Sequence, residues 1–231
     1  MRRILVALVA ALAVLALPVA QAGAKSRSHG AFFAPAELTV VHGVPGLTVD
    51  VYANGTKVLD DFTFGTVSPT LKVRPGFYRL AVTRGDSTTP ILRAYALAFP
   101  GRSYSAVAYL EQGGAPNLKV FRNDTSPTGR GKGRVIVRHT ADAPTVDVLA
   151  GGSPLISGLS NGEQAKAVVP AGTYPVAIAP AGSTTPVFGP VDLPVPAGKV
   201  TIAYALGSLA GGSFTVAVQS ADARRGWWFW R

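Results

Sequence analysis

The chain has 231 residues, enough for one large domain or for two domains of roughly 100 residues each. Hydrophobic residues make up 48% and charged residues only 15%, so there is enough apolar material for packed cores. The sequence contains no cysteine, which excludes disulfides, thiolate metal sites and cysteine nucleophiles.

The beginning of the chain has the pattern of a secretory signal peptide. Arg2 and Arg3 give it a positive start, and an uncharged apolar run follows over residues 4–17. Small residues suited to signal peptidase come next, and the run is shorter than the ~20 apolar residues that span a membrane. We therefore predict a signal peptide over residues 1–24, an N-terminal linker over residues 25–36, and no transmembrane segment in the mature chain.

One sequence pattern occurs twice. VVHGVPGLTVDVYANG at residues 40–55 matches VRHTADAPTVDVLAGG at residues 137–152 without a gap. Further matches follow in the same order and at nearly the same offset: PGFYRLAV with AGTYPVAI, and STTP with a second STTP. Such a series predicts the duplication of a whole domain, with repeat 1 over residues 37–121 and repeat 2 over residues 134–220.

Each repeat has the residue pattern of β-strands. Val49, Val51 and Ala53 alternate with more polar residues, which is the period of a strand with one buried face. Asn54-Gly55 is a strong hairpin signal, because both residues tolerate the positive φ of a type I′ turn. Seven or so short strands per repeat, with no sustained helical period after the signal, predict an all-β protein of two tandem immunoglobulin-like β-sandwich domains.

The segment between the repeats, residues 122–133, reads RNDTSPTGRGKG. It is polar and rich in glycine and turn-forming residues, so we predict an exposed linker. Its basic residues Arg130 and Lys132 are interpreted as solvated and not as a binding site.

The net charge of +10 lies mostly outside the segments expected to fold. Residues 37–121 contain eight Lys and Arg against six Asp and Glu, and residues 134–220 contain four against four. A nucleic-acid-binding protein concentrates basic residues on a folded face, with aromatic side chains among them. The sequence therefore argues against nucleic acid as a partner.

Both repeats carry motifs of one known family. HTADAPTVDV and VPAGTY in repeat 2, with VDVYANG and RPGFY in repeat 1, resemble the bacterial family named domain of unknown function 4397, in two tandem copies. Repeat 1 departs from the family pattern with HGVPGLTVDV, and repeat 2 departs with LAGG at the hairpin. The resemblance implies exported, often duplicated, immunoglobulin-like sandwiches in cell-surface proteins, and it implies no activity and no catalytic residues.

Two of the three histidines hold equivalent positions in the repeats. His42 and His139 each stand eight residues before an aspartate, Asp50 or Asp147. The functional interpretation is a metal site or a His–Asp pair for acid–base chemistry. The structural interpretation is a strand-end histidine bonded to a neighbouring strand and an aspartate that fixes a turn. We favour the structural interpretation, because a metal site generally needs three or four ligands and each repeat offers neither another histidine nor a cysteine.

Other catalytic patterns are also missing from the sequence. The segment GLSNG at residues 158–162 has the letters of a G-x-S-x-G elbow, but we interpret it as a turn that only resembles this motif. Glu37 and Glu111 are the only two glutamates that share a repeat. Asp60-Asp61 lacks the calcium-loop pattern D-x-D-x-D-G, and we interpret this pair as part of a turn. We therefore expect no enzyme, no metal and no cofactor.

The tail over residues 221–231 contains all three tryptophans of the chain. Aromatic rings beside cations suit a membrane interface, the sugar rings of a cell-wall polymer, or a partner protein. The alternatives are a strand-like tail folded onto the second sandwich, or a disordered end. The candidate contact residues are Arg224, Arg225, Trp227, Trp228, Phe229 and Trp230.

These observations favour an exported, non-catalytic cell-envelope protein whose tandem modules act as spacer, adhesion or interaction domains. The alternative is a cell-wall glycan-binding module, and an enzyme that uses a His–Asp pair is the least favoured hypothesis. We expect the chain to be secreted or associated with the cell surface. Its expected partners are a cell-wall polymer, the membrane surface or another envelope protein.

Overall fold

The structure, a computed structural model, describes residues 34–85 and 87–224. These residues form sixteen β-strands and no helix, arranged in four sheets of four strands. Two sheets build each repeat, so the predicted all-β class and the two tandem β-sandwiches are confirmed. The predicted signal peptide, residues 1–24, lies outside the described residues.

Repeat 1 contains eight strands: β1 (Ala36–His42), β2 (Thr48–Ala53), β3 (Thr56–Thr63), β4 (Leu71–Val73), β5 (Gly76–Arg84), β6 (Pro90–Ala98), β7 (Ser103–Leu110) and β8 (Pro116–Asn123). Its two sheets have the strand orders β4-β1-β7-β8 and β3-β2-β5-β6. The pairing of β1 with β7 is parallel, and the other pairings are antiparallel.

Repeat 2 has the same eight-strand plan: β9 (Lys132–His139), β10 (Val146–Ala150), β11 (Ser153–Leu159), β12 (Gln164–Pro170), β13 (Gly172–Pro180), β14 (Phe188–Val195), β15 (Lys199–Leu206) and β16 (Thr215–Asp222). Its sheets have the orders β12-β9-β15-β16 and β11-β10-β13-β14. The pairing of β9 with β15 is again parallel. The identical order of strands matches the duplication seen in the sequence.

The β2 strand shows how the sequence produces this architecture. Val49, Val51 and Ala53 point into the core between the two sheets of repeat 1, where each is less than 10% exposed. Asn54 and Gly55 then form a tight turn with φ values of 51° and 85°. Positive φ at both positions matches the right-handed twist of the flanking strands, so β3 can pair directly with β2.

The two sandwiches pack against each other through the sheets that contain β1 and β9. Every residue of β7 is buried, because one face of the strand meets its own core and the other face meets repeat 2. Gly43 lies so close to repeat 2 that an added Cβ would come within 2.6 Å of the Leu206 side chain. The shared apolar cluster consists of Val41, Val107, Tyr109, Phe121, Ile136, Val200, Ile202, Tyr204 and Leu206. Both sandwiches therefore belong to one compact unit.

A buried polar network lies inside this interface. The Arg138 side chain is fully buried, and its guanidinium donates to Gln164 Oε1 at 3.0 Å, to the Tyr204 hydroxyl at 2.9 Å and to Asn123 Oδ1 at 2.6 Å. The Tyr204 hydroxyl in turn donates to Ser105 Oγ at 2.8 Å. Because Asn123 and Ser105 belong to repeat 1, the network joins the two repeats by hydrogen bonds as well as by apolar contact.

The segment 122–133 differs from the exposed linker that we expected. Strand β8 extends to Asn123 and β9 begins at Lys132. Thr125 and Thr128, between these strands, are buried. The reason is a set of hydrogen bonds from residues that follow the connection. The Arg134 guanidinium donates to the carbonyls of residues 124 and 126, and the Arg224 N–H donates to the Thr125 carbonyl. Arg130 and Lys132 themselves are exposed.

Candidate functional site

His42 and His139 both close a loop by hydrogen bonding to the backbone. The Nε2–H group of His42 donates to the Leu47 carbonyl at 3.0 Å, and that of His139 donates to the Pro144 carbonyl at 2.8 Å. Both rings are almost completely buried. Each histidine thus fixes the loop between the first two strands of its repeat, which is a structural task.

The paired aspartates hold backbone irregularities in the neighbouring strands. Asp147 accepts backbone N–H groups from Gly158 and Gly182, each at 2.8 Å, and these bonds lower the pKa of its carboxyl group. Asp50 accepts the N–H of Asp61 at 3.1 Å in the equivalent place. Within the described residues no hydrogen bond joins either histidine to its aspartate. The geometry therefore provides no His–Asp pair.

Three carboxylates of repeat 1, from Asp50, Asp60 and Asp61, approach one another within 4.8 Å. The Lys57 ammonium lies 2.7 Å from both Asp50 and Asp60, and this hydrogen bonding lowers the pKa of Asp50. The positive charge in the cluster is thus supplied by a lysine. Asp61 has a φ of 46° and lies in a bulge of β3, where the sequence suggested a turn.

Because His42 and His139 are buried, we expect the free energy of unfolding to depend on pH. Burial lowers the pKa of both His42 and His139 below the ordinary value of 6.5. The unfolded chain therefore binds protons more readily, and the free energy of unfolding should fall as the pH drops below about 6.5. Urea denaturation at about pH 7.5 and about pH 5 tests this expectation. The double variant His42→Gln/His139→Gln should lose most of this pH dependence, and an unchanged dependence would contradict the assignment.

Among the candidate contact residues of the tail, Arg224 is the one that the structure describes. Its backbone N–H donates to the Thr125 carbonyl at 2.7 Å, and its guanidinium lies against Gly101 of repeat 1. Arg225, Trp227, Trp228, Phe229 and Trp230 lie outside the described residues.

A surface of repeat 1 that sequence reasoning missed combines aromatic rings with arginines. We name it the aromatic–arginine face, and it consists of Tyr52, Phe77, Arg79, Arg93 and Tyr95. Phe77 and Tyr95 are 61% and 63% exposed, and their rings stack with centroids 5.7 Å apart. Arg79 lies directly opposite Tyr95, while Tyr52 and Arg93 both pair with Ala81. The five side chains are therefore neighbours on one side of the sheet.

Alternation along β6 explains why this face is exposed. Leu92, Ala94 and Ala96 turn towards the core, so the residues between them point outward. Except for Arg93, these outward residues are large hydrophobic side chains with exposures of 40% to 63%: Ile91, Tyr95, Leu97 and also Phe99 just after the strand. When both faces of a strand are mostly apolar, the face that points away from the core must lie in solvent or against a partner. This double pattern is the sequence signal that could have identified the face.

The face also forms a shallow depression with basic character. Its volume is about 480 Å³, and its lining includes Tyr52, Arg79, Arg93 and Tyr95. None of the ion pairs in the described part of the chain involves Arg79 or Arg93. The two guanidiniums are thus available to an anionic ligand.

Repeat 2 has the same strands without this face. The pairing of β10, β13 and β14 makes Leu149 equivalent to Tyr52, and Pro175 equivalent to Arg79. By the same register, Thr173 replaces Phe77 and Asp192 replaces Tyr95. Since repeat 2 folds without these side chains, the fold does not require them in repeat 1.

Comparison with known proteins gives one family. The model of a family described as a domain of unknown function, DUF4397, matches residues 36–149, which run from β1 through most of β10. No curated protein matches the chain. No helix within the described ranges is long and apolar enough to cross a membrane.

Proposed function

Because the chain carries a DUF4397 domain over residues 36–149, we propose that it is an exported, non-catalytic envelope protein that adheres to an anionic cell-wall glycan. The aromatic–arginine face of repeat 1 is the binding surface. The observation that carries this proposal is the exposure of Phe77 and Tyr95 beside Arg79 and Arg93.

The chemistry of the face fits an acidic sugar polymer. Exposed aromatic rings pack against the C–H groups of sugar rings, and the stacked pair of Phe77 and Tyr95 provides a broad apolar platform. Guanidinium groups bind carboxylates with two parallel hydrogen bonds. The sheet holds the backbone of these residues in a fixed register, so the rings and the guanidiniums are presented together on one side.

Repeat 2 suits a supporting role in this proposal. It lacks the aromatic–arginine face, and its contact with repeat 1 buries an apolar cluster together with the Arg138 network. A spacer of this kind presents repeat 1 in a constant orientation. The tail over residues 221–231 remains a proposed second contact with the cell surface.

Retention on purified cell wall tests the binding surface. We expect the variant Arg79→Ala/Arg93→Ala and the variant Tyr95→Ala each to bind at least about tenfold more weakly, because each removes exposed groups that face the ligand. Both variants should keep the melting temperature of the unmodified protein. The matched control is Arg122→Ala/Arg130→Ala, which also removes two exposed arginines but leaves the face intact.

Two further measurements separate this proposal from its alternatives. A chain that ends at Arg224 tests the tail. If the face variants are retained as well as the unmodified protein while the truncated chain is not retained, the tail carries the binding. Digestion of the wall with a protease or a glycosidase before the assay identifies the polymer. Retention that survives removal of the glycan would contradict the proposed ligand.

A further inference from the structure

The strand β6 forms an open edge of repeat 1. It spans Pro90–Ala98 and, within the described part of the chain, pairs with β5 alone. Repeat 2 packs against the other sheet of repeat 1. The core-facing residues Leu92, Ala94 and Ala96 are only half-buried, which shows that this edge is not fully covered. An uncovered edge strand presents a row of backbone N–H and C=O groups that another strand can bind.

Hydrogen bonds identify which backbone groups of β6 face the open edge. The Asn54 N–H donates to the Arg79 carbonyl at 2.9 Å, so the backbone groups of Arg79 face β2. Because these groups alternate in direction along a strand, those of Leu80 face β6, where Ala94 lies opposite. The backbone groups that point away from β5, towards the open edge, are therefore those of Arg93, Tyr95 and Leu97.

Repeat 2 blocks the equivalent edge at all three positions. The residues of β14 that correspond to Arg93, Tyr95 and Leu97 are, in that order, Pro190, Asp192 and Pro194. A proline has no N–H to donate to a further strand, and prolines and charges protect natural sheet edges from pairing. Repeat 1 has no proline and no acidic residue at these positions. Its edge is therefore competent to pair where the edge of repeat 2 is not.

The strand β6 is complementary to itself when two copies run antiparallel. If Ala94 of one copy lies opposite Ala94 of the other, each Arg93 lies opposite a Tyr95 and each Ile91 lies opposite a Leu97. An arginine beside a tyrosine ring and an isoleucine beside a leucine are both favourable cross-strand pairs. This register also places edge-facing residues opposite edge-facing residues, as antiparallel hydrogen bonding requires.

The neighbouring registers lack this complementarity. A pair of strands centred on Arg93 would bring two arginines directly opposite each other, which destabilises a sheet. A pair centred on Tyr95 would place Arg93 opposite Leu97 and would lose both arginine–tyrosine pairs. The charge of Arg93 thus selects the register that is centred on Ala94.

We propose that repeat 1 forms a symmetric dimer with a second copy of this chain, through antiparallel pairing of β6 with β6 centred on Ala94. The two four-stranded sheets then join into one continuous sheet. Because the same edge is used by both copies, the association closes at two. The two aromatic–arginine faces lie side by side in this dimer, but the pairing itself does not depend on the proposed glycan binding.

Sedimentation velocity of the mature chain, without any glycan, measures the association. The unmodified protein should shift reversibly from monomer to dimer as its concentration rises. Leu97→Pro, which introduces the residue of repeat 2, should weaken dimerisation at least about tenfold, because it removes an N–H donor from the edge. Its melting temperature as a monomer should stay close to that of the unmodified protein, since β14 folds with Pro194 at the equivalent position.

Val168→Pro is the matched control for the proline. Val168 is 45% exposed and Leu97 is 52% exposed, and by the same alternation the N–H of Val168 faces the open edge of β12. This control should dimerise like the unmodified protein. A chain that ends at Arg224 should also dimerise equally, because the tail takes no part in the pairing.

Charge variants test the register. Tyr95→Arg places an arginine opposite Arg93 of the other copy and should weaken dimerisation at least about tenfold. The double variant Arg93→Asp/Tyr95→Arg restores opposite charges in both pairs and should recover most of the affinity. A protein that stays monomeric at all concentrations, a dimer that Leu97→Pro leaves unchanged, or a double variant that is no better than Tyr95→Arg would overturn the proposal. Loss of the dimer in Val168→Pro or on truncation at Arg224 would overturn it as well, because another edge or the tail would then carry the association.

Discussion

Replacement of Arg138 by alanine is expected to lower the free energy of unfolding by about 3–5 kcal/mol. The guanidinium is fully buried between the repeats and donates to side chains of Gln164, Tyr204 and Asn123. It also lies over the Phe121 ring, at 4.6 Å from the ring centroid. Alanine removes all of these contacts at once and leaves polar atoms of the partners buried without them.

The burial of Arg138 is unusual because no ion pair of the described residues involves this side chain. Burial lowers the pKa of the guanidinium, and the nearby Tyr204 opposes that change. Neutral acceptors and two aromatic rings therefore compensate the charge. Arg138→Met should cost less than Arg138→Ala, because methionine keeps most of the packed volume.

Urea denaturation measures both variants, with Arg122→Ala as the control because Arg122 is exposed on β8. The control should change the free energy of unfolding by less than about 0.5 kcal/mol. A loss below about 1 kcal/mol for Arg138→Ala would show that this network does not hold the repeats together.

The second large effect is expected from Ile202→Asp. Ile202 is fully buried in the cluster shared by both repeats. A carboxylate placed there must be desolvated without a partner, so the interface should open or the free energy of unfolding should fall by about 4 kcal/mol or more. Small-angle scattering should then report a larger radius of gyration, and denaturation should separate into two transitions in place of one.

Val168→Asp is the matched control for this change. Val168 belongs to the same sheet as Ile202, but its side chain is 45% exposed. The control should therefore keep both the radius of gyration and the single transition. Equal behaviour of the two variants would contradict the packing of the repeats through these sheets.

The histidines illustrate what local pattern can settle. His42 and His139 recur at equivalent positions, and the sequence favoured a structural role for them at the end of a strand. The structure shows each ring bonded to a backbone carbonyl of the adjacent loop. The sequence thus anticipated the structural role of these histidines but not their partner, which we expected in a neighbouring strand and which lies five residues further along the chain.

The segment 122–133 and strand β7 illustrate the opposite case. Composition predicted an exposed linker and strands with one buried face, yet Thr125 and Thr128 are buried and every residue of β7 is covered. Whether the outer side of a sheet meets solvent or another domain depends on the complementarity of two distant surfaces. The alternation of residues along one strand contains no information about that partner.

The sequence by itself determined the duplication, the all-β class and the position of the tight turn at Asn54-Gly55, because strand alternation and turn conformation are properties of a few consecutive residues. Only the tertiary structure decided that the repeats share a buried interface and that aromatic rings and arginines meet on one face of repeat 1. Each of these features depends on which strands become neighbours and how closely two sheets approach. Those distances are set by packing between residues far apart in the chain.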